Sequence, residues 1–275
     1  MYHTLINIEE LAAYRDKAYM IVDCRYDLAD QSVGKQNYNL SHIPGAIYLD
    51  LMEDLSGPPI TNKGRHPLPT DEAMNQLFAN IGITSDMQVF VYDDQAGAFA
   101  ARLWWMLKHM QHECVAVVDG GWQAWKNAGH PTTNEVVTTT SSDFQTSANQ
   151  GDVVLIDDLE TVSCLIDSRD PARYRGELEP IDPIAGHIPG AKNRFWQVNL
   201  TEQGVFKDRE TLYLEWQELL GSSNADDAVV YCGSGVTACH NLLSASHAGL
   251  PMPRLYAGSW SEWSRAPGKS IASGD

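Results

Sequence analysis

The segment YCGSGVTACH, residues 231–240, places a cysteine between an apolar run and two glycines. Gly233 and Gly235 allow backbone conformations and close approaches that a Cβ atom would block, so several N–H groups can turn inward around the sulfur of Cys232. These donors, with the positive end of a following helix, favour thiolate over thiol. Because an ionised sulfur is a nucleophile, the segment predicts a reactive cysteine.

The other four cysteines lack this setting. Cys24 and Cys164 lie in or beside predicted strands and Cys239 lies on the apolar face of a predicted helix, so we expect all three in the core. Cys114 has no assignment. The total of five is odd and no CxxC pair occurs, which indicates neither a disulfide framework nor a zinc site. We therefore expect free thiols and no metal.

Three kinds of chemistry use a cysteine thiolate in such a loop. A cysteine phosphatase needs an arginine at the end of a Cys-x5-Arg loop, and Ala238 stands there. A papain-like protease would pair the cysteine with a base such as His187 or His240, but neither lies in a recognised local signature. A sulfur carrier needs a thiolate, space for one more sulfur and donors for the charged persulfide. The loop supplies all three, so sulfur transfer is favoured.

The chain is a tandem duplication. Four pairs of motifs follow one another in the same order: IVDCR and LIDSR, HIPGA twice, VFVYD and AVVYC, VVDGGWQAW and RLYAGSWSEW. The offset between equivalent residues is 145 at the two HIPGA histidines and 139 at Asp93 and Cys232. We predict domains at 1–130 and 152–275, joined by an extended Thr- and Ser-rich linker at 131–151.

Both repeats show the pattern of an α/β domain. Short β-rich runs, each followed by a helical pattern, occur at 20–23, 88–92 and 115–118, then at 164–167, 228–231 and 254–256. This alternation predicts two domains, each with a central parallel sheet flanked by helices. Cys232 then lies at the carboxyl end of a strand, where open α/β sheets place their ligands.

The charge balance limits the partners. The chain has 19 basic and 36 acidic residues and a net charge of −17, which disfavours nucleic acid and anionic membranes. It has no run of 18 apolar residues and no basic N-terminal region followed by a long apolar stretch. We therefore expect a soluble, cytoplasmic protein that binds neither nucleic acid nor membrane.

The loop CGSGVTA, the two HIPGA motifs, the paired tryptophan motifs and the tandem layout resemble the two-domain rhodanese family over nearly the whole chain. The resemblance implies two rhodanese-like domains and a ping-pong cycle without metal or organic cofactor. Asp93 stands at the cysteine position of the first repeat and cannot carry sulfane sulfur, so that domain is expected to be catalytically silent. The persulfide on Cys232 would be cradled by the backbone of Gly233, Ser234, Gly235, Val236 and Thr237. Ser234 is also expected to relay a proton.

The resemblance extends to the sulfur donor. The loop is similar to the version that takes sulfur from 3-mercaptopyruvate, and it implies that Arg173 binds the donor carboxylate. The alternative for this arginine is a surface pair with Glu177. Ile181 stands where a second arginine is expected. We expect 3-mercaptopyruvate as donor and cyanide, a small thiol or a thioredoxin as acceptor. A thiosulfate enzyme and a non-catalytic sulfur-binding module are the alternatives.

The family also suggests His42 and Asp30 as candidates for a Cys-His-Asp arrangement. HIPGA occurs in both repeats, however, and a structural role in the turn explains both copies, whereas catalysis explains one. We favour a structural role for His187 and leave His42 open. The tryptophans at 122–125 and 260–263 are expected to be core residues.

Overall fold

The computed structural model describes residues 1–16, 18–61 and 63–275. The chain forms two compact units: one of Met1–Gly57, Pro69–Asn149 and Glu202–Val205, the other of Pro58–Leu68, Gln150–Thr201 and Phe206–Asp275. The segment Pro58–Leu68 therefore packs with the second unit, although it lies within the first predicted domain. No helix in the described ranges is long and apolar enough to cross a membrane.

The first unit contains a parallel sheet of strand order β1-β5-β4-β2-β3. Its elements are β1 (Leu5–Ile6), α1 (Ile8–Ala13), β2 (Tyr19–Asp23), α2 (Val33–Leu40), β3 (Ala46–Tyr48), α3 (Asp71–Ile81), β4 (Gln88–Tyr92), α4 (Ala100–His109), β5 (Val115–Val118) and α5 (Gly121–Asn127). The strands predicted at 20–23, 88–92 and 115–118 correspond to β2, β4 and β5. The residues of the predicted linker, 131–149, pack with this unit through buried Phe144, whose ring contacts Phe78.

The second unit contains a parallel sheet of order β7-β6-β8-β9. Its elements are β6 (Leu165–Asp167), α6 (Pro171–Tyr174), β7 (Lys192–Asn193), α7 (Arg209–Leu220), β8 (Val229–Tyr231), α8 (Ala238–His247), β9 (Arg254–Leu255) and α9 (Ser259–Trp263), with short 3-10 turns at Gln150–Asp152, Leu159–Thr161 and Trp196–Asn199. The predicted fold class is confirmed, since both sheets are parallel and flanked by helices.

A buried ion pair lies at the end of an inner strand of each sheet. Arg169 lies 2.6 Å from Asp167 at the end of β6, and its guanidinium stacks on Trp260 at 4.6 Å. The first unit repeats the arrangement with Asp23, Arg25 and Trp122. These tryptophans are buried, as predicted for core residues. Because the backbone N–H of Trp260 donates to the carbonyl of Cys232, the second ion pair also supports the candidate loop.

Candidate active site

The loop that begins with Cys232 connects β8 to α8 and is held against the segment before α9. The thiol is buried, the backbone N–H of Cys232 donates to Oγ of Ser259 at 3.1 Å, and its carbonyl accepts from Trp260 at 3.0 Å. Gly235 has φ +76°, and a Cβ atom there would lie 2.5 Å from the carbonyl oxygen of Ala257. Glycine at this position is therefore required by both conformation and space.

Three backbone N–H groups at the end of the loop have no hydrogen-bond acceptor in the part of the chain that the structure describes. They belong to Val236, Thr237 and Ala238, at the start of α8, where a helix leaves its first N–H groups without intrahelical acceptors. Unpaired donors at the positive end of a helix attract an anion. This geometry suits the predicted cradle for a charged sulfur on Cys232.

The loop of the first repeat shows what such a cradle can hold. The carboxyl group of Asp93 accepts four backbone hydrogen bonds of 2.8 Å, from Gln95, Gly97, Phe99 and Ala100. Burial raises the pKa of Asp93, and these four hydrogen bonds oppose the rise. In the first repeat, a carboxyl group of the chain itself therefore occupies the position that the second repeat gives to sulfur.

Ser234 has a partner that the sequence analysis missed. Its Oγ lies 2.7 Å from Nδ1 of His66, both residues are buried, and 168 positions separate them in the chain. His66 belongs to the segment Pro58–Leu68, which packs with the second unit. A signal for this segment exists in the sequence: the falling offset between the repeats means that the first repeat has extra residues between HIPGA and its next strand. Such an insertion is a place where functional residues occur.

The structure places Arg173 beside the loop. A Cβ atom on Gly233 would lie 3.6 Å from both terminal nitrogens of the Arg173 guanidinium. Nε and Nη2 of Arg173 donate to the carboxylate of Glu179 at 3.1 and 2.7 Å. The alternative pair with Glu177 does not form, because Glu177 binds Arg175 instead. The position of Arg173 therefore suits the predicted role in binding a donor carboxylate.

A second arginine, also missed from the sequence, lies at the same point. A Cβ atom on Gly233 would be 3.0 Å from Nη2 of Arg65. Arg65 forms an ion pair with Asp182, whose side chain is fully buried. Asp182 also contacts Arg173 at 3.5 Å and Arg265 at 3.0 Å. The loop is therefore bordered by two guanidinium groups that share one buried carboxylate.

His42 and His187 have matching surroundings. Nδ1 of His42 lies 2.7 Å from the carbonyl oxygen of Tyr38, and the two rings stack at 4.0 Å. Nε2 of His42 lies 3.1 Å from the carbonyl oxygen of Glu135. His187 repeats the first contact with the carbonyl of Tyr174 at 2.8 Å and stacks on its ring at 3.8 Å. The duplicated environment favours a structural role for both histidines.

Asp30 lies in an exposed turn ahead of α2. Its carboxylate accepts from the backbone N–H of Ser32 at 3.0 Å and from the Ser32 hydroxyl at 2.7 Å. These hydrogen bonds lower the pKa of Asp30. The carboxylate stabilises a local turn, and this contact favours a structural role over the catalytic one.

The two parallel sheets, each with a loop of this kind at the end of a central strand, define a tandem rhodanese-like protein. The family model described as "Rhodanese-like domain" matches residues 7–128 and 149–266. The chain belongs to the rhodanese family, and it is a sulfurtransferase.

Three relatives illustrate the similarity. A probable 3-mercaptopyruvate sulfurtransferase of Pseudomonas aeruginosa is 44% identical over 98% of each chain. A putative thiosulfate sulfurtransferase of Mycobacterium tuberculosis is 36% identical over 92% of this chain and 90% of its own. Among solved structures, 3-mercaptopyruvate sulfurtransferase from Leishmania major matches with a TM-score of 0.82 and 31% identity, over 95% of this chain and 74% of its own.

Proposed function

We propose that the protein transfers sulfane sulfur from 3-mercaptopyruvate to a thiophilic acceptor through a persulfide on Cys232. The observation that carries this proposal is the thiol at the start of an anion-binding loop, with the guanidinium of Arg173 next to the same loop. A donor with one carboxylate a few bonds from its sulfur fits this arrangement. The names of the relatives from Pseudomonas and Leishmania support the same donor.

The first half of the cycle is a nucleophilic displacement. The thiolate of Cys232 attacks the donor sulfur, so that an S–S bond forms while the C–S bond breaks. The electron pair of the broken bond remains on carbon and gives the enolate of pyruvate. The hydroxyl of Ser234, hydrogen-bonded to His66, relays the thiol proton of the donor to this carbon, which leaves the outer sulfur charged. Pyruvate leaves, and the outer sulfur remains on Cys232.

The second half returns the enzyme to its starting state. The charged outer sulfur lies among the backbone N–H groups of Val236, Thr237 and Ala238. A cyanide ion, a small thiol or a thioredoxin attacks this sulfur, and the S–S electron pair returns to Cys232 as thiolate. The proposed residues and substrates account for every atom, so the cycle needs neither a metal nor an organic cofactor.

A thiosulfate sulfurtransferase is the second candidate. Two guanidinium groups next to Gly233 favour it, because thiosulfate is a dianion that binds best with cations close to its sulfur. However, Arg173 already shares its charge with buried Glu179, and Arg65 shares its charge with buried Asp182. Because a carboxylate of the chain already balances each guanidinium, little net positive charge is left for a dianion, which favours the monoanion 3-mercaptopyruvate.

Parallel steady-state assays with the two donors and one acceptor test the proposal. We expect the higher kcat/KM with 3-mercaptopyruvate, and equal or faster turnover of thiosulfate would favour the second candidate.

The intact-protein mass should rise by one sulfur atom after incubation with donor. This gain should be lost in Cys232→Ser and kept in the matched control Cys239→Ser. A gain that persists in Cys232→Ser would contradict the persulfide route.

A further inference from the structure

Two guanidinium groups face Gly233, each with one nitrogen that is not engaged. In the part of the chain that the structure describes, Nη2 of Arg65 and Nη1 of Arg173 have no hydrogen-bond acceptor. These two nitrogens are 3.0 and 3.6 Å from the position of a Cβ atom on Gly233. Because Gly233 follows Cys232 directly, both unpaired donors lie beside the loop that carries the proposed nucleophile.

Buried carboxylates hold both arginines in place. Glu179 accepts two hydrogen bonds from Arg173, and its side chain is almost completely buried. Asp182 pairs with Arg65 through Oδ1 and lies 3.5 Å from Nη2 of Arg173 through Oδ2. A guanidinium that is already oriented loses less side-chain entropy when it binds a ligand. The ion pairs therefore orient both guanidinium groups, so that their unpaired nitrogens can bind an anion.

We propose that Arg65 is a donor-binding residue, which together with Arg173 binds the carboxylate of the donor. Asp182 is then the positioning residue for both. This inference rests on the proposed function. Ile181, at the position where the family resemblance predicts a second arginine, is largely exposed, and the segment Pro58–Leu68 supplies that cation from elsewhere in the chain. The planar fork of each guanidinium matches a carboxylate, which a lysine would not do equally well.

The geometry also explains how such a donor would be oriented. With its carboxylate held on the Gly233 side, 3-mercaptopyruvate has its sulfur a few bonds away, in reach of Cys232. In the donor itself the keto group lies between the carboxylate and the carbon that carries the sulfur, so the carbon to be protonated would lie near the loop that contains Ser234. Binding of the carboxylate by two arginines would thus fix the orientation of the donor, with its sulfur toward Cys232.

The test compares two donors that differ in one group. Arg65→Ala should lower kcat/KM for 3-mercaptopyruvate by about 10- to 100-fold, mainly through KM, because a charge-assisted hydrogen bond is lost. Mercaptoacetone lacks the carboxylate, so its kcat/KM should change by less than about 3-fold, since it makes no such bond. Equal losses with both donors would mean that Arg65 only supports the loop, and would overturn the proposal.

A second measurement does not depend on turnover. Pyruvate should protect Cys232 from iodoacetamide in the unmodified protein, and Arg65→Ala should require about 10-fold more pyruvate for the same protection. Asp182→Asn should weaken protection in the same direction, and Arg65→Lys should restore part of it. Unchanged protection in Arg65→Ala would refute the role of this residue.

The control is Lys63→Ala, which removes a cation from the same segment. Lys63 is exposed and pairs with Glu262 at 3.0 Å. In this variant we expect kcat/KM for both donors and the protection by pyruvate to be unchanged. If the unmodified protein does not use 3-mercaptopyruvate, the proposed function fails. If it does and Arg65→Ala behaves like the unmodified protein, only this inference fails.

Discussion

At the scale of single residues, all five cysteines are buried and free, yet their surroundings differ. Cys232 begins a loop that has unpaired backbone N–H groups and two guanidinium groups beside Gly233. Cys24 has the opposite setting: burial raises the pKa of its thiol, and the carboxyl groups of Asp23 and Asp93 add to this rise. Cys232 therefore lies in a loop with groups that attract an anion, whereas Cys24 lies beside carboxyl groups that repel one.

This contrast predicts selective alkylation. Brief treatment with iodoacetamide near neutral pH should label Cys232 first and leave Cys24 unlabelled until the protein unfolds, because only a thiolate reacts readily. Peptide mapping by mass spectrometry measures both positions in one sample, which must be free of persulfide. Faster labelling of Cys24, or no labelling of Cys232 in the folded protein, would argue for a structural cysteine at 232.

The pair of Ser234 and His66 gives a second prediction at this scale. Ser234→Ala should lower kcat with 3-mercaptopyruvate by about 100-fold, because the enolate carbon loses its proton relay. Thiosulfate releases sulfite, which needs no proton on carbon, so its turnover should fall much less. Thr237→Val is the matched control, since it removes another hydroxyl from the same loop. Equal losses for both donors in Ser234→Ala would indicate a damaged loop instead.

Local motifs reveal Cys232 and Arg173 because their neighbours in the chain carry the information. The glycines that follow Cys232 indicate that the backbone of this loop comes close to other atoms, and this can be recognised without a structure. His66 and Arg65 cannot be found in this way. Their contacts with Ser234 and Gly233 join positions more than 160 residues apart, and only tertiary folding brings them together.

At the scale of elements, length decides what a pattern can predict. The five-residue strands β2 and β4 are visible as apolar runs, whereas β1 and β7 have two residues each and β3 has three. A strand of two or three residues is too short to show a period by itself. The equally short β6, β8 and β9 are predicted because they lie in motifs that match longer strands of the first repeat. Strands β1, β3 and β7 form because a longer parallel neighbour offers backbone partners. Their existence is therefore a property of the sheet.

The loop after β4 yields a prediction about stability. Asp93→Ala would leave four backbone N–H groups without their acceptor, so the free energy of unfolding should fall by about 2–4 kcal/mol. Urea denaturation measures this change. The neighbouring exposed Asp94 is the control, and Asp94→Ala should have a small effect. Sulfur loading of Cys232 should persist in both variants, and an unchanged stability in Asp93→Ala would contradict the structural role.

The contribution of the segment after α6 to the stability of the protein is predicted to depend on pH. Burial alone would raise the pKa of Glu179, but hydrogen bonds from Arg173 and from the backbone N–H of Asp182 outweigh it, and the resulting pKa lies below the usual value. Because folding lowers this pKa, ionised Glu179 stabilises the protein at neutral pH. This contribution is lost as the pH falls through the lowered pKa.

Glu179→Gln should therefore reduce the free energy of unfolding by about 1–3 kcal/mol at pH 7 and have little effect at pH 3. Chemical denaturation at both pH values measures the difference. Glu177→Gln is the control, because Glu177 is exposed and solvent screens its pair with Arg175, so we expect only a small effect at either pH. A loss of equal size at both pH values would mean that the charge of Glu179 does not matter.

At the scale of the whole molecule, the duplication explains why the chain has two similar folds, but it does not explain why the two repeats have different roles. Each repeat forms its own parallel sheet, as the matching motifs predict, and each also contains a buried ion pair. The repeats differ in two places: Asp93 stands where the second repeat has Cys232, and the first repeat has extra residues between HIPGA and VFVYD, a stretch that includes Pro58–Leu68. That segment packs with the second unit. Repeat boundaries in the sequence therefore predict domains, and they do not predict which repeat supplies each residue of the site.

The packing of this segment predicts the effect of a small change far from the reacting atoms. A Cβ atom on Gly64 would lie 2.7 Å from the carbonyl oxygen and 3.0 Å from Cα of Gly258, and neither backbone atom can yield easily. Gly64→Ala should therefore shift the neighbouring Arg65 and His66 away from the loop. Because misplacement by about 1 Å can cost up to about 100-fold, we expect kcat/KM for 3-mercaptopyruvate to fall at least about 10-fold.

The free energy of unfolding should change much less than the activity in Gly64→Ala, because the segment is short and contributes no strand to either sheet. Lys63→Ala, one residue earlier, serves as the control and should retain both activity and stability. Activity in Gly64→Ala equal to that of the unmodified protein would show that the second unit performs the reaction without residues from the first repeat. A fall in activity with the fold retained would show that the duplicated chain works as one enzyme, since the repeat without the cysteine then supplies groups that the other repeat lacks.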